Sequence, residues 1–118
     1  MMNLERVYPD FEPTNSVLAD LARIQQLWAM AWEKYGNSEP WLFGRYSLAD
    51  VFYAPIASRI VTFNLPVDAR AEAYVAAHIS DPAFETWRKA GAERVYEKKP
   101  HAVGMSFVDW PGPRFSNL

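Results

Sequence analysis

Apolar residues recur in the first third of the chain at alternating spacings of four and three. The stripe comprises Val17, Leu21, Ile24, Trp28, Ala31 and Tyr35. This spacing is that of one side of an α-helix. Thr14 or Ser16 can cap its start, and Gly36, which can adopt the left-handed conformation that closes helices, predicts its end. The pattern therefore predicts a first long helix.

A second apolar segment predicts a helix from Ser47 to about Asn64. Ser47 and Asp50 have the spacing of a capping box: the serine hydroxyl accepts from the backbone N–H of the third helical residue, and the carboxylate of that residue accepts from the serine N–H. Tyr46 and Val51 stand at the positions of a hydrophobic staple. The helix is apolar on most faces, so we expect it to be packed on all sides.

Two shorter helices are predicted after it. The alanine-rich segment 67–79 forms one of them. Asp81 caps the other, which has Pro82 at its first position, where a missing N–H does no harm. Phe84 and Trp87 are expected on the inner side of this last helix. Its charged residues alternate in sign, as on a solvated face, and are expected on the opposite side.

The end of the chain predicts an extended tail, because it contains three prolines and two glycines. Its large apolar residues are expected to pack back onto the helices. They are Phe107, Val108, Trp110 and Phe115. No segment has a convincing strand pattern. The sequence predicts one all-α domain over 1–118, a bundle of about four main helices with a helical core at about 14–97 and an irregular tail at 98–118.

The composition limits the classes of function. A chain of 118 residues with 50% hydrophobic and 22% charged residues is the size of one globular domain. Its net charge of -2 does not attract nucleic acid. The stretch 51–67 is poor in charge but contains Arg59 and is short for a membrane span. Since the chain has no cysteine, we expect a cytoplasmic protein. From the net charge and the short apolar stretch we expect neither a nucleic acid nor a membrane partner.

Side chains able to carry chemistry are few and isolated. Ser47 and Asp50 fit a structural cap better than a hydrolytic site. His78 and His101 have no third ligand at metal spacing, so no metal site is predicted. Arg59 lies in an otherwise apolar stretch and is expected to need a partner: a structural carboxylate, an anionic ligand or an interface.

The first helix also carries an aromatic ridge. Trp28, Trp32 and Tyr35 are spaced four and three apart. Such a ridge fits core packing, and it also fits a surface for a ligand or partner.

The segment FGRYSLADVFYAPIASRI, residues 43–60, resembles bacterial glutathione S-transferases. In that family a Phe/Leu-Phe-Gly run is followed by Ser-Ile/Leu-Ala-Asp and, on the same helix, by Ala/Val-Pro. MNLER followed by a proline, and then the capped amphipathic helix ending in LW, are similar to the region between the first two helices of the family's C-terminal domain. DPAFETWRKAG resembles a later helix of that domain. The resemblance covers the chain from Met2 to about Ala92 and implies that all-helical domain.

The resemblance implies that a catalytic half is missing. Family members bind glutathione through an N-terminal thioredoxin-like domain, and no βαβ pattern occurs here. We therefore expect a truncated or divided protein, with no catalytic residue and no cofactor in this chain. Glutathione is expected as co-substrate only if the chain is paired with a thioredoxin-like domain.

The function implied by the resemblance is to supply the hydrophobic electrophile pocket in a complete enzyme that transfers glutathione to electrophiles. Alone, the chain is expected to be inactive. Arg59, Thr62 and Phe63 lie on the part of the helix that approaches this pocket in the family. A non-catalytic helical protein-interaction module is the alternative, and a carrier of small apolar molecules is a third possibility.

The resemblance also implies a partner. The family helix that would pack against the first long helix is mostly absent, which leaves apolar surface uncovered. We expect self-association, or a thioredoxin-like partner domain, through the Val17–Tyr35 helix and adjacent apolar surface.

Overall fold

The computed structural model describes residues 4–93 and 105–116. Its main elements are four α-helices, α1 Asn15–Tyr35, α2 Leu48–Thr62, α3 Ala69–Ser80 and α4 Pro82–Glu93. The predicted all-α bundle is confirmed. His101, the predicted end of the helical core at 97 and the start of the tail lie outside the described residues. None of the described helices is both long enough and apolar enough to cross a bilayer.

A short strand pair, which the sequence did not predict, joins the two ends of the described chain. β1 Arg6–Val7 and β2 Val108–Asp109 pair antiparallel. The prediction that no strand forms was wrong because two residues are too few to show the alternating pattern of a strand.

The helices begin at side chains that accept hydrogen bonds from free backbone N–H groups. Thr14 caps α1, and Asp68 caps α3. The Asp81 carboxylate accepts from two backbone N–H groups at the start of α4, whose first residue is Pro82. These local bonds explain why the sequence located the helix starts closely.

The ends of α1 and α2 have different geometries. Gly36 is extended, with φ -72°, and not left-handed as predicted. A Cβ at Gly36 would lie 2.5 Å from the Trp32 carbonyl oxygen, so a close approach is the reason for the glycine. The left-handed residue is Asn64, with φ 48°, which ends α2 while the Leu65 N–H donates to the Ile60 carbonyl at 3.0 Å.

The hydrophobic core draws on the N-terminal segment, α1, α2, α3, the loops beside α2 and the tail. Its buried members are Val7, Leu21, Trp28, Trp32, Leu42, Ala57, Ile60, Val61, Leu65, Ala71, Tyr74, Val75 and Phe115. Phe115 shows that the tail packs onto the helices, as expected. Phe107 and Val108 are nevertheless exposed.

Polar contacts hold the tail and the N-terminal segment in place. Arg114 donates to the Leu65 carbonyl at 2.8 Å and pairs with Glu72 at 2.9 Å. Arg88 of α4 donates to the Leu4 carbonyl at 2.8 Å and lies over the Trp110 ring at 5.5 Å. The two ends of the described chain are therefore tied to the helices and to each other.

Two expectations about buried sides were wrong. α2 is not packed on all sides, because Leu48, Val51 and Phe52 are exposed. Trp87 of α4, expected on the inner side, is about half exposed, while Phe84 is buried. Apolar sequence alone does not show which sides of a helix have neighbours.

Candidate functional site

The most polar part of the core is centred on Asp50, which is fully buried at the start of α2. Its Oδ2 accepts from the Ser47 N–H at 2.9 Å. Its Oδ1 accepts from the Tyr74 hydroxyl at 2.6 Å and from the Leu42 N–H at 3.3 Å. Ser47 and Asp50 form a capping box, and the same carboxylate connects α2 to α3 and to the preceding loop.

The Tyr74 hydroxyl is a permanent donor in this arrangement. Burial raises its pKa well above the usual range, and the hydrogen bond to Asp50 raises it further. The phenol therefore remains protonated at neutral pH and donates to the carboxylate. The geometry suits a structural link between helices better than proton transfer to a substrate, because both partners are buried and occupied.

His78 lies beside this network and is also buried. Its ring contacts those of Trp41 and Tyr74, with centroids 5.5 and 4.6 Å away. Burial lowers the pKa of His78 to about 4, although the negative charges of Asp50 and Asp81 oppose the shift. The imidazole is therefore neutral at physiological pH. Within residues 4–93 and 105–116, no group of three acidic, histidine or cysteine side chains could hold a metal ion.

The aromatic ridge of α1 divides between the core and the surface. Trp28 and Trp32 are buried, and their rings contact Tyr74 with centroids 4.8 and 5.4 Å away. The Trp32 Nε1–H donates to the Pro40 carbonyl at 3.0 Å. Tyr35 is exposed. Core packing therefore accounts for the two tryptophans, and Tyr35 alone is available to a ligand or partner.

The three residues predicted to approach an electrophile pocket occupy different environments. Arg59 is exposed and Thr62 is fully buried. Phe63 is partly buried, with its ring centroid 5.9 Å from Tyr8 and 4.9 Å from Phe11. Solvent reaches the Arg59 guanidinium, so the fold does not require the structural carboxylate that was expected as its partner. An anionic ligand or an interface at Arg59 stays a prediction. The assignment of the three residues to a pocket stays a prediction.

The proposed staple residues both lie at the surface. Tyr46 and Val51 are exposed, and the Tyr46 ring contacts Trp41 with centroids 4.8 Å apart. This contact holds Tyr46 against Trp41, whose ring also contacts His78. The staple itself stays a prediction.

A cleft of about 400 Å³, which was not predicted from the sequence, lies between α3 and the tail. It is lined by Ala69, Glu72, Ala73, Ala76, Arg114 and Phe115. Arg114 is already bonded to Glu72 and the Leu65 carbonyl, so its charge is not free for a ligand. The cleft escaped prediction because it forms only when residues 114 and 115 pack against a helix more than thirty positions earlier.

Comparison with known proteins leaves the family open. No family model matches the chain, and neither the curated proteins nor the solved structures yield a significant match. The resemblance to glutathione S-transferases therefore rests on the quoted sequence segments, and the family is a proposal.

Proposed function

We propose that the chain is the helical half of a two-part, glutathione S-transferase-like protein. The start of α2 carries the proposal: the Ser47–Asp50 capping box and the internal Pro55 occur in the order that resembles the family. In the complete protein, this half supplies apolar surface for an electrophile, and a thioredoxin-like domain binds glutathione.

The assignment of glutathione binding to the other domain follows from the chemistry of thiol transfer. The thiol of glutathione must lose its proton, and a positioned donor must stabilise the thiolate before it attacks the electrophile. Tyr74, a buried hydroxyl of this chain, is already engaged by Asp50. Ser47 is likewise bonded to that carboxylate. The chain alone is therefore proposed to be inactive.

Phe63 supports the electrophile role more strongly than the other two pocket candidates. It forms an aromatic group with Tyr8 and Phe11, and its own side chain is not fully buried. Aromatic surfaces of this kind bind flat apolar molecules through area and ring contacts. Thr62 is buried beneath the surface, and Arg59 can contribute only at the exposed side of α2.

Two titrations of the purified chain test this proposal. Calorimetry with glutathione should show no saturable heat, whereas an aryl halide should quench tryptophan fluorescence saturably. Phe63→Ala should weaken aryl halide binding, and the control Phe43→Ala, at an exposed position whose ring contacts Tyr35, should not. Saturable glutathione binding would contradict the divided function. Failure of the aryl halide to bind would contradict the pocket role.

A non-catalytic protein-interaction module is the second candidate, supported by exposed apolar side chains on α1. Leu27, Met30 and Tyr35 are exposed on this helix. We propose self-association, or docking of a thioredoxin-like domain, through the Val17–Tyr35 helix. Sedimentation velocity at micromolar concentration should show a dimer that Met30→Glu dissociates. A monomer at every concentration would contradict self-association.

A further inference from the structure

The exposed side of α2 carries an apolar stripe with one charge at its end. Leu48, Phe52, Pro55 and Arg59 follow one another at spacings of four, three and four, which places them along one side of a helix with 3.6 residues per turn. Leu48 is 68% exposed and Phe52 73%, and Arg59 is also exposed. Val51, 46% exposed, widens the stripe. These five residues are called the α2 surface below.

The fold itself does not require large apolar side chains at these positions. The core side of α2 is formed by other residues, among them Ala57, Ile60 and Val61. Polar side chains at Leu48 and Phe52 would leave those core contacts intact. Large apolar residues grouped on adjacent turns and left in water are typical of a surface that a partner covers.

Arg59 indicates the chemistry of that partner. Within the part of the chain that the structure describes, the Arg59 guanidinium has no ion pair. The sole acidic residue of α2, Asp50, is buried and bonded elsewhere. A partner that covered Phe52 would lie close to this cation, where a carboxylate is favourable and a second cation is unfavourable.

A second copy of the same surface is a poor occupant. A two-fold symmetric contact brings the same patch from both chains together. Each chain would contribute Arg59, and neither α2 surface would contribute a carboxylate. Neither Arg59 would gain an ion pair in such a contact, whereas a partner that carries a carboxylate would supply one. The charge pattern therefore favours a different protein.

We propose that the α2 surface binds an acidic amphipathic helix of another protein. The apolar side of that helix covers Leu48, Val51 and Phe52, and an Asp or Glu on it pairs with Arg59. A helix is the fitting shape because ridges of side chains on one helix pack into the grooves of another. Phe52 and Arg59 are seven residues apart, or ~10 Å along α2, so the partner's carboxylate lies about two turns from its central apolar residue. The proposal goes beyond glutathione chemistry and does not depend on it.

A pair of synthetic helical peptides tests the proposal. The probe is a fluorescein-labelled peptide of ~18 residues, five turns, with leucines along one side and glutamates flanking them at both ends. The control peptide has lysines in place of the glutamates. Fluorescence anisotropy with the full chain should show saturable binding of the glutamate peptide that weakens as salt is added. The lysine peptide should bind at least ~tenfold more weakly.

Variants of the chain assign the contact to the α2 surface. Arg59→Glu should weaken binding of the glutamate peptide about tenfold and strengthen binding of the lysine peptide. Phe52→Ser should weaken binding of the glutamate peptide about tenfold. Arg23→Glu, a matched charge reversal at an exposed arginine of α1 with no described ion pair, should leave binding unchanged. Circular dichroism checks that each variant is folded, which their exposed positions favour.

Four results would overturn the proposal. One is no saturable binding of the glutamate peptide to the wild-type chain. Another is equal binding of the two peptides, or binding that Arg59→Glu leaves unchanged. The last is a homodimer in sedimentation that Phe52→Ser dissociates, because it would assign the α2 surface to a second copy.

Discussion

The Tyr74 hydroxyl lies 2.6 Å from Asp50 Oδ1 and joins α3 to the first turn of α2. Both residues are buried. The same carboxylate oxygen accepts from the Leu42 N–H, and the other oxygen accepts from Ser47. One acidic side chain therefore orients a helix start, a loop and a neighbouring helix. Its contribution to stability is expected to exceed that of an ordinary helix cap.

Tyr74→Phe should lower the free energy of unfolding by about 2 kcal/mol, because it removes a buried hydrogen bond to a charged group while keeping the ring. Urea unfolding followed by circular dichroism measures the change. Tyr53→Phe is the control: this ring also contacts Trp28, with centroids 5.5 Å apart, but no described hydrogen bond involves its hydroxyl. Equal losses in the two variants would contradict the role assigned to the Tyr74 hydroxyl.

Asp50→Ala should cost more stability than Ser47→Ala. Loss of the serine removes a helix cap, worth about 1 kcal/mol. Loss of the carboxylate leaves the Tyr74 hydroxyl and the Leu42 N–H without their acceptor, which is expected to cost about 3 kcal/mol. Chemical unfolding of both single variants and of the double variant tests the order. Unchanged stability in the double variant would contradict the capping box as a stabilising feature.

His78 should make the stability of the protein depend on pH. Its pKa is lowered to about 4 in the folded chain from a usual value of 6.5, so the unfolded chain binds the proton more readily. The free energy of unfolding is therefore unaffected by His78 above pH 6.5. It falls as the pH drops from 6.5 to about 4, because the unfolded chain is protonated at His78 before the folded chain is. Because each unit by which the pKa is lowered is worth 1.36 kcal/mol, the free energy of unfolding decreases by about 3 kcal/mol over this range.

His78→Phe should remove this part of the pH dependence. The variant keeps an aromatic ring between Trp41 and Tyr74 but cannot be protonated. The unfolding free energies of the wild-type protein and of His78→Phe are measured at several values between pH 4 and pH 7. Subtracting one curve from the other removes the titration of the carboxylates, which both proteins share. Parallel curves for the two proteins would show that His78 is not the titrating group.

Phe115→Ala should destabilise the protein by about 3 kcal/mol, because the phenylalanine is buried in the core and its removal leaves a cavity. Arg114→Ala should have a smaller effect, about 1 kcal/mol, because its ion pair with Glu72 is partly exposed. Thermal unfolding and limited proteolysis of the tail measure both effects. Phe107→Ala is the exposed control, and a loss as large as that of Phe115→Ala would contradict this order.

The cap residues show how much of the fold was predictable. Ser47 and Asp81 marked two helix starts, and Thr14 caps a third, for which Ser16 was the other candidate. A cap acts on N–H groups two or three residues away, so its position can be predicted from nearby sequence. Gly36 marked the end of α1, although the reason is a close approach to Trp32 and not a left-handed backbone. The candidate pocket was less predictable, because Arg59, Thr62 and Phe63 differ in exposure for reasons that lie outside α2.

The sequence by itself determined the helical class, the number of main helices and the capping box of α2, because each depends on residues within one or two helical turns. Tertiary structure alone decided that Tyr74 reaches Asp50, that Phe63 lies between Tyr8 and Phe11, and that the Leu48–Arg59 side of α2 faces water. These relationships depend on neighbours that are distant in sequence. Burial is a property of the packed assembly of helices, and a single helix does not encode which of its sides will be covered.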